Sequence, residues 1–202
     1  MRETLRAGSK VLITAAVAAL ALAGCSPTSA GNSESGRDGE AHSILAEHGL
    51  DGLDPVSLVD ELDRMPLADR PDDLVVSVRP DMLLVGSPEN MDAAAPIALP
   101  DDQFYLSMAP FVDVTHACTF HSLTTCVGEL QNEDITVRIT DEATGEVLLD
   151  ESTRTFDNGF IGYWLPADRV LTVHVEHDGR IGTTEVSTGA DDPTCLTTLQ
   201  LA

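Results

Sequence analysis

The sequence predicts an α+β protein, with a small N-terminal module of two helices and two strands followed by an antiparallel β-sandwich-like domain. Two observations lead to this prediction. Between residues 43 and 66, helix-capping residues flank apolar residues at three- and four-residue spacing, which indicates amphipathic helices. After residue 103, short alternating runs follow one another with turn residues between them, which is typical of a sandwich.

The chain begins with what is predicted to be a lipoprotein signal peptide, residues 1–24. A basic head precedes an apolar run, residues 11–22, that is too short for an ordinary transmembrane helix. The run ends in Leu-Ala-Gly-Cys, which resembles a lipobox, so Cys25 is expected to carry a lipid. The protein is therefore expected to be exported and anchored to the membrane, facing the periplasm or the extracellular side. An ordinary or uncleaved signal peptide with a free Cys25 is the alternative.

Residues 25–40 have almost no apolar side chain to bury, and they are predicted to be a flexible membrane tether. The whole chain has 202 residues and a formal net charge of −23. Loss of the signal peptide leaves eight arginines, no lysine and 33 carboxylates. Nucleic acid is excluded as a partner, because polyanion binding needs a basic face. The acidity indicates a soluble surface, with an acidic docking patch as the alternative.

Residues 41–100 are predicted to form the N-terminal module. A first helix is expected to start at Ser43, and a second has Asp54 as N-cap with Pro55 at its first position. Apolar runs at 74–79 and 82–85 predict two paired strands, and the proline-containing stretch 91–102 predicts an interdomain linker. Because a two-stranded sheet is marginal alone, this module is expected to form a homodimer.

Residues 101–202 are predicted to form the β-rich domain. Tight-turn dipeptides such as Asn158-Gly159 and Asp178-Gly179 separate its runs. The predicted strands are Phe104–Met108, Ile135–Ile139, Glu146–Asp150, Phe160–Leu165, Val170–Val175 and Arg180–Val186.

Soft metal ligands are concentrated in one stretch of this domain. It contains His116, Cys118, His121 and Cys126, and the remaining thiol of the folded body is Cys195. A continuous strand would separate the first two thiols by roughly 26 Å and a helix by about 12 Å, so the chain must reverse near residues 122–124 if they are to meet. Cys195 would then reach them from a final strand. Three thiolates with or without an imidazole favour Cu(I) or Zn(II) over Ca(II) or Mg(II).

Other interpretations of these thiols remain open. Exported cysteines usually pair, so a Cys118–Cys126 or Cys126–Cys195 disulfide is one alternative. An odd number of thiols leaves one of them free, which itself favours metal or redox chemistry. Buried, inert thiols are the third interpretation. The sequence has none of the common hydrolase, phosphate-loop or Cys-x-x-Cys motifs.

The sequence from about Leu53 onward resembles the CueP family of exported copper-binding proteins. The likeness is most specific in His-x-Cys-x-x-His-Ser-Leu-Thr-Thr-Cys, residues 116–126, and in Asp-Pro-Thr-Cys-Leu-Thr-Thr, residues 192–198. Further matching segments are Ser77–Asp81, Phe104–Phe111, Gly128–Leu130, Thr144–Val147, Phe156–Phe160 and Trp164–Pro166.

The resemblance implies a copper-tolerance protein that passes copper to a client such as a copper-dependent superoxide dismutase. The three family cysteines map onto Cys118, Cys126 and Cys195, with His121 and His116 as accompanying ligands. The predicted function is capture of copper, Cu(I) in preference to Zn(II), by a lipid-anchored extracytoplasmic protein. One alternative is a thiol-disulfide or copper-reducing redox protein that uses the same cysteines. The other is a structural lipoprotein with a disulfide-stapled sandwich.

Overall fold

A computed structural model of the chain describes residues 32–202. The predicted signal peptide, the lipidation site Cys25 and the tether as far as residue 31 lie outside the described residues. No helix in the described part of the chain is both long and apolar enough to span a membrane. The helices are α1 (Asn32–Glu47) and α2 (Pro55–Arg64), and the strands are β1 (Val75–Val78), β2 (Met82–Gly86), β3 (Ala95–Ala98), β4 (Gln103–Met108), β5 (Asp134–Asp141), β6 (Val147–Arg154), β7 (Ile161–Pro166), β8 (Val170–His177), β9 (Arg180–Ser187) and β10 (Cys195–Leu196).

The strands form three sheets, with orders β1-β2-β3, β10-β4-β7 and β6-β5-β8-β9. Neighbours pair antiparallel, except that β10 runs parallel to β4. The predicted α+β class is confirmed.

Helix α2 forms where its capping residues predict it. The Asp54 carboxylate accepts the backbone N–H groups of Val56 and Ser57, both at 3.1 Å, and Pro55 begins the helix. The buried face includes Leu62 and Asp63. A carboxylate on the apolar face of a helix needs hydrogen-bond partners, because burying an unpaired charge is costly.

Helix α1 begins earlier than the sequence predicts. It starts at Asn32, inside the predicted tether, and Ser43 lies within the helix rather than at its N-cap. The Ser43 hydroxyl donates instead to the Gly39 carbonyl four residues earlier, at 2.8 Å. Such a back-bond gives serine an alternative to capping.

The predicted linker at residues 91–102 was wrong in part, because it contains strand β3. Pro96 lies opposite Leu84 on β2, and Ile97 is buried. Strand β3 is the last strand of its sheet. A proline is tolerated at such an edge, where its missing N–H breaks no internal ladder. The N-terminal sheet therefore has three strands instead of the predicted two.

The sandwich core lies between the β10-β4-β7 and β6-β5-β8-β9 sheets. Alternate residues of β5, β8 and β4 point into it, as their period-two pattern predicts. They include Ile135, Val137, Ile139, Leu171, Val173, Val175, Phe104, Leu106 and Met108.

A second core lies under α1 and α2, and two residues of the β-rich part of the chain join it. Tyr105 of β4 and Trp164 of β7 pack there with ring centroids 4.9 Å apart. The Trp164 indole N–H donates to Asp60 of α2 at 3.2 Å. Helix α2 thus lies against the outer face of β4 and β7, which places its buried carboxylate beside the cysteine segment. The predicted division at residue 100 stays a prediction.

Candidate metal centre

The segment 116–126, called here the thiol loop, is held to strand β1 by backbone hydrogen bonds. The N–H of Val78 donates to the His121 carbonyl at 2.7 Å, and the N–H of Leu123 donates to the Val76 carbonyl at 2.9 Å. The loop then reverses, since the Cys126 N–H donates to the Ser122 carbonyl at 3.1 Å. The predicted reversal is confirmed.

The reversal brings two sulfurs together. Cys118 Sγ and Cys126 Sγ lie 3.8 Å apart. Both thiols are free, as is that of Cys195. Two metal–sulfur bonds of about 2.3 Å at a tetrahedral angle span roughly 3.8 Å, so this separation suits two ligands of one ion.

The third thiol arrives on strand β10, as the sequence predicts. Cys195 pairs in parallel with Ser107 of β4, and its N–H donates to the Thr119 carbonyl of the thiol loop at 3.2 Å. Its sulfur lies 3.9 Å from His121 Nδ1. The short strand therefore fixes a buried sulfur against a buried imidazole.

The five predicted ligands form two groups of three. The outer set is His116, Cys118 and Cys126, and the inner set is His121, Cys126 and Cys195. Within each set the ligand atoms all lie within 4.8 Å of one another. Cys126 belongs to both sets, and it is the junction of the arrangement.

The inner imidazole is held by a buried carboxylate on α2. His121 Nε2 lies 2.9 Å from Asp63 Oδ1, and both side chains are fully buried. Asp63 also accepts hydrogen bonds from three other residues of the sandwich. These are the Tyr105 hydroxyl at 2.7 Å, the Ser107 hydroxyl at 3.1 Å and the Asn158 amide at 3.0 Å. With Nε2 facing the carboxylate, Nδ1 is the atom left to face the sulfurs, an arrangement common among metal-ligating histidines.

This pairing determines the charge state of the metal-free site. Burial disfavours the charged forms of both groups, but their mutual attraction exceeds that effect. The Asp63 carboxylate raises the pKa of His121 to about 9, and His121 holds the pKa of Asp63 below its ordinary value. Near neutral pH the metal-free site therefore contains an imidazolium next to the thiols.

Cys126 is the thiolate of the group. Hydrogen bonds from the Cys118 and Cys195 thiols, together with the nearby His121 charge, hold the pKa of Cys126 far below its ordinary value. The Ser122 N–H also points at this sulfur, at 3.4 Å. Donating to this thiolate raises the pKa of Cys118 to about 12, and hydrogen bonds with Cys118 and then Cys126 raise the pKa of Cys195. One sulfur is thus ready to bind a cation, and the other two must release protons.

Arg70 adds positive charge behind Cys126. Its Nη1 donates to the Cys126 carbonyl at 2.9 Å. Its Nε and Nη2 are buried without a hydrogen-bond partner among the described residues. Burial lowers the pKa of Arg70, which Asp63 and Cys126 partly oppose. The guanidinium lies where it can offset the negative charge of a metal bound to several thiolates.

Solvent reaches one side of the site. An open cleft of about 610 Å³ is lined by His116, Cys126 and apolar residues that include Val114 and Val127. Both valines are exposed, whereas His121 and Cys195 are buried. The buried Phe160 ring has its centroid 4.5 Å from that of His121 and 6.3 Å from that of His116. The cleft therefore reaches His116 and the shared Cys126, whereas the buried His121 and Cys195 do not line it.

Sequence reasoning missed Asp63, Tyr105 and Asn158. One signal could have found the first: Asp63 follows Leu62 on the same helix face as Leu58 and Val59, where a charge is out of place. Gly162 gives a structural reason for the Tyr105 contact, because a Cβ there would overlap the Tyr105 hydroxyl and approach Asp63.

The chain is similar to proteins of known type. The family model described as periplasmic copper-binding protein CueP matches residues 57–200. A solved structure described as "Crystal Structure of S.CueP" matches with a TM-score of 0.72 and 35% sequence identity, over 80% of this chain and 96% of that one. No curated protein matches the chain.

A β-sandwich that brings three free thiols and two imidazoles together at one side defines a thiol-based metal-binding protein. Such a donor set fits Cu(I) and Zn(II) better than hard cations. The chain belongs to the CueP family of periplasmic copper-binding proteins. The predicted family is confirmed, and with it the copper-binding class.

Proposed function

We propose that this protein captures Cu(I) with the thiolates of Cys118, Cys126 and Cys195, assisted by His121 and His116, and passes it on by ligand exchange. The observation that carries the proposal is the convergence of three free sulfurs from two distant segments, two of which, those of Cys126 and Cys195, lie within 4.8 Å of the buried His121 imidazole. A merely structural role for the thiols would not need a buried carboxylate behind that imidazole.

The electrostatics favour a monovalent soft cation. Copper meets one preformed thiolate, Cys126, and displaces protons from the other two thiols and from His121 Nδ1. Affinity should therefore fall on acidification, because protons compete with the metal for the same donors. Arg70 and the imidazole N–H donated to Asp63 limit the negative charge that three thiolates would create.

Cu(I) is preferred to Zn(II) because sulfur dominates the donor set. Zinc structural sites use four tetrahedral ligands. Here each compact set offers three. Three-coordinate thiolate sites suit Cu(I), and zinc is the weaker alternative.

The proposal includes export and a lipid on Cys25, for which the support is the basic head, the apolar run and the Leu-Ala-Gly-Cys ending. It also includes delivery to a client such as a copper-dependent superoxide dismutase, and a homodimer formed through the N-terminal module. Strand β3 is an edge of that module's sheet, and an edge offers unpaired backbone groups to a second copy.

The test of copper capture is competition. The protein is purified without reductant, its free thiols are counted, and Cu(I) is titrated against a chromophoric chelator without oxygen. We expect three reactive thiols in the mature body and removal of Cu(I) from the chelator. A permanent disulfide with no competition for Cu(I) would falsify the copper proposal.

The homodimer has a separate test. Light scattering on the soluble protein lacking the tether should give the mass of two chains at micromolar concentration. A monomer at that concentration contradicts this part of the proposal and leaves copper capture unaffected.

A redox protein is the second candidate function, favoured by the 3.8 Å between Cys118 Sγ and Cys126 Sγ. Joining the Cys118 thiol to the Cys126 thiolate would release one proton and two electrons, enough to reduce two Cu(II) ions to Cu(I). A disulfide that forms while Cu(II) is reduced, and that is lost in Cys118→Ser, favours this candidate. Thiols that persist in the presence of Cu(II) exclude it.

A further inference from the structure

The candidate ligands form two partly overlapping sets of three, whereas a single ion could be held by one such set. The outer set and the inner set share Cys126 and no other residue. Their environments differ sharply: His116 is exposed, whereas His121 is fully buried and Cys195 is 5% exposed. The donor atoms therefore lie at two depths, joined by one sulfur.

The open cleft leads to His116 of the outer set and to the shared Cys126. Cys118, His121 and Cys195 do not line it, but Cys118 Sγ lies 3.8 Å from Cys126 Sγ and is only partly buried. The inner pair is fixed from behind, since Asp63 holds His121 at 2.9 Å and strand pairing holds Cys195. An ion from solvent therefore meets His116 and Cys126 first, and the buried His121 and Cys195 lie further in.

We propose that copper crosses this site in two steps, held first by the outer set of His116, Cys118 and Cys126 and then by the inner set of His121, Cys126 and Cys195. The inference rests on the proposed function. Cys126 stays bound throughout and acts as the pivot, so the ion is never released between the two positions.

The exchange balances without any change of oxidation state. Copper remains Cu(I), breaks its bonds to His116 and Cys118 Sγ, and forms bonds to Cys195 Sγ and His121 Nδ1. The proton of the Cys195 thiol passes to the Cys118 thiolate that it replaces, and the Nδ1 proton of His121 passes to solvent. The reverse sequence returns copper to the exposed ligands for delivery.

The sequence of two positions predicts different kinetic roles for the two imidazoles. Without His116 the first position is weakened, so loading from solvent slows. Without an inner ligand the deep position is weakened, so bound copper leaves faster. A single site would show no such division, because losing any ligand would weaken the same bound state.

The test uses the full chain in detergent micelles, fully reduced and without oxygen. Stopped-flow absorbance follows transfer of Cu(I) from its bicinchoninate complex to the protein, and then release to excess chelator. Variants of the outer set are His116→Gln and Cys118→Ser. Variants of the inner set are His121→Gln and Cys195→Ser, the second of which leaves the buried Asp63 pair intact.

His174→Gln is the matched control, because it removes an imidazole of strand β8 that hydrogen-bonds Thr183 and belongs to neither set. Circular dichroism confirms that each variant is folded. If His121→Gln does not fold, Cys195→Ser alone tests the inner position.

In the outer variants we expect loading and release both to slow about tenfold, the effect of losing roughly 1.4 kcal/mol from a position that the ion crosses in both directions, so the Cu(I) affinity should change little. In the inner variants we expect release to accelerate by at least about tenfold with a smaller change in loading, so the Cu(I) affinity should fall. Outer variants that release copper faster and lose as much Cu(I) affinity as the inner variants overturn the two-step inference but leave copper capture standing. A wild-type protein that takes no Cu(I) from the complex overturns the proposed function and the inference together.

Discussion

The two histidines of the thiol loop lie five residues apart and have opposite environments. His121 is buried, and its ring is fixed by the Asp63 carboxylate, which three other side chains also hydrogen-bond. His116 is exposed at the cleft, and no carboxylate contact to it is found among the described residues. The same residue type thus supplies a buried, hydrogen-bonded candidate ligand in one place and an exposed one in the other. The packing of α2 against the sandwich makes the difference.

The largest loss of Cu(I) affinity is expected on substitution of Cys126, the residue that the two sets share. Cys126→Ser removes the only preformed thiolate among the cysteines that the structure describes, and with it a candidate ligand of both sets. If each of about three ligands contributes a third of a typical structural-metal binding energy, the loss is on the order of 4 kcal/mol, or about a thousandfold in Cu(I) affinity. Competition with a chelator measures it. An affinity within tenfold of the wild-type value would remove Cys126 from its central position.

The buried position of His121 depends on its hydrogen bond to Asp63. Asp63→Ala leaves His121 buried without its partner, and we expect a loss of about 3–5 kcal/mol in the free energy of unfolding. Asp63→Asn keeps the shape but not the charge, and should lower Cu(I) affinity by about 10- to 100-fold.

Asp60→Asn on the same helix is the matched control for Asp63. Within residues 32–202, the Asp60 side chain accepts only the Trp164 indole N–H, and an amide oxygen can do the same. We expect a change below about 1 kcal/mol in urea unfolding and no change in copper affinity. Equal effects at the two positions would show that helix α2 as a whole, and not the carboxylate, supports the imidazole.

The charge states of His121 and Cys126 predict a specific dependence of stability on pH. The raised pKa of His121 contributes stability that is present below its ordinary value of 6.5 and is lost as pH rises through about 9. The lowered pKa of Cys126 acts in the opposite sense, adding stability as pH rises toward the ordinary thiol value of 9.0. Between these limits, the folded state gains one proton on His121 and loses one on Cys126, so the two contributions cancel.

Single variants should remove this cancellation. Between pH 7 and 8.5, the unfolding free energy of the metal-free reduced wild type should be flat. It should fall by about 1.4 kcal/mol per pH unit in Cys126→Ser and rise by a similar slope in His121→Gln. Urea unfolding at several pH values gives these slopes. Parallel slopes in all three proteins would mean that neither group carries the assigned charge.

A smaller loss of stability is expected from crowding the buried contact between Tyr105 and Asp63. In Gly162→Ala the new methyl group meets the Tyr105 hydroxyl, which must move away from Asp63. Overpacking of this kind costs about 1–3 kcal/mol of unfolding free energy. Gly39→Ala in α1 enters open space and should instead be neutral or slightly stabilising. A Gly162→Ala protein as stable as the wild type would show that the Tyr105 contact is dispensable.

Local features of the sequence predicted much of this fold. Asp54 and Pro55 predicted the start of helix α2, and the tight-turn residues predicted the hairpins. The spacing of Cys118 and Cys126 predicted a chain reversal between them if the two sulfurs were to meet. Each depends on neighbours within about ten residues. Strand β3 was not predicted, because its proline was taken as the sign of a linker, whereas a proline is also tolerated in an edge strand. The hydrogen bonds around Asp63 were not predicted, because they depend on contacts between α2 and residues far along the chain.

The degree of burial of each candidate ligand could not be predicted from the sequence either. His116 and His121 occupy the same short motif, and no periodicity separates a buried imidazole from an exposed one in a loop. The difference arises from the backbone pairing of the thiol loop with β1, which places His121 under α2.

X-ray absorption at the copper edge of the Cu(I)-loaded full chain tests the central claim most directly. We expect a first shell dominated by sulfur at about 2.3 Å with one nitrogen from an imidazole, and loss of sulfur scattering in Cys126→Ser. A shell of nitrogen and oxygen alone, unchanged by the Cys126 substitution, would contradict it.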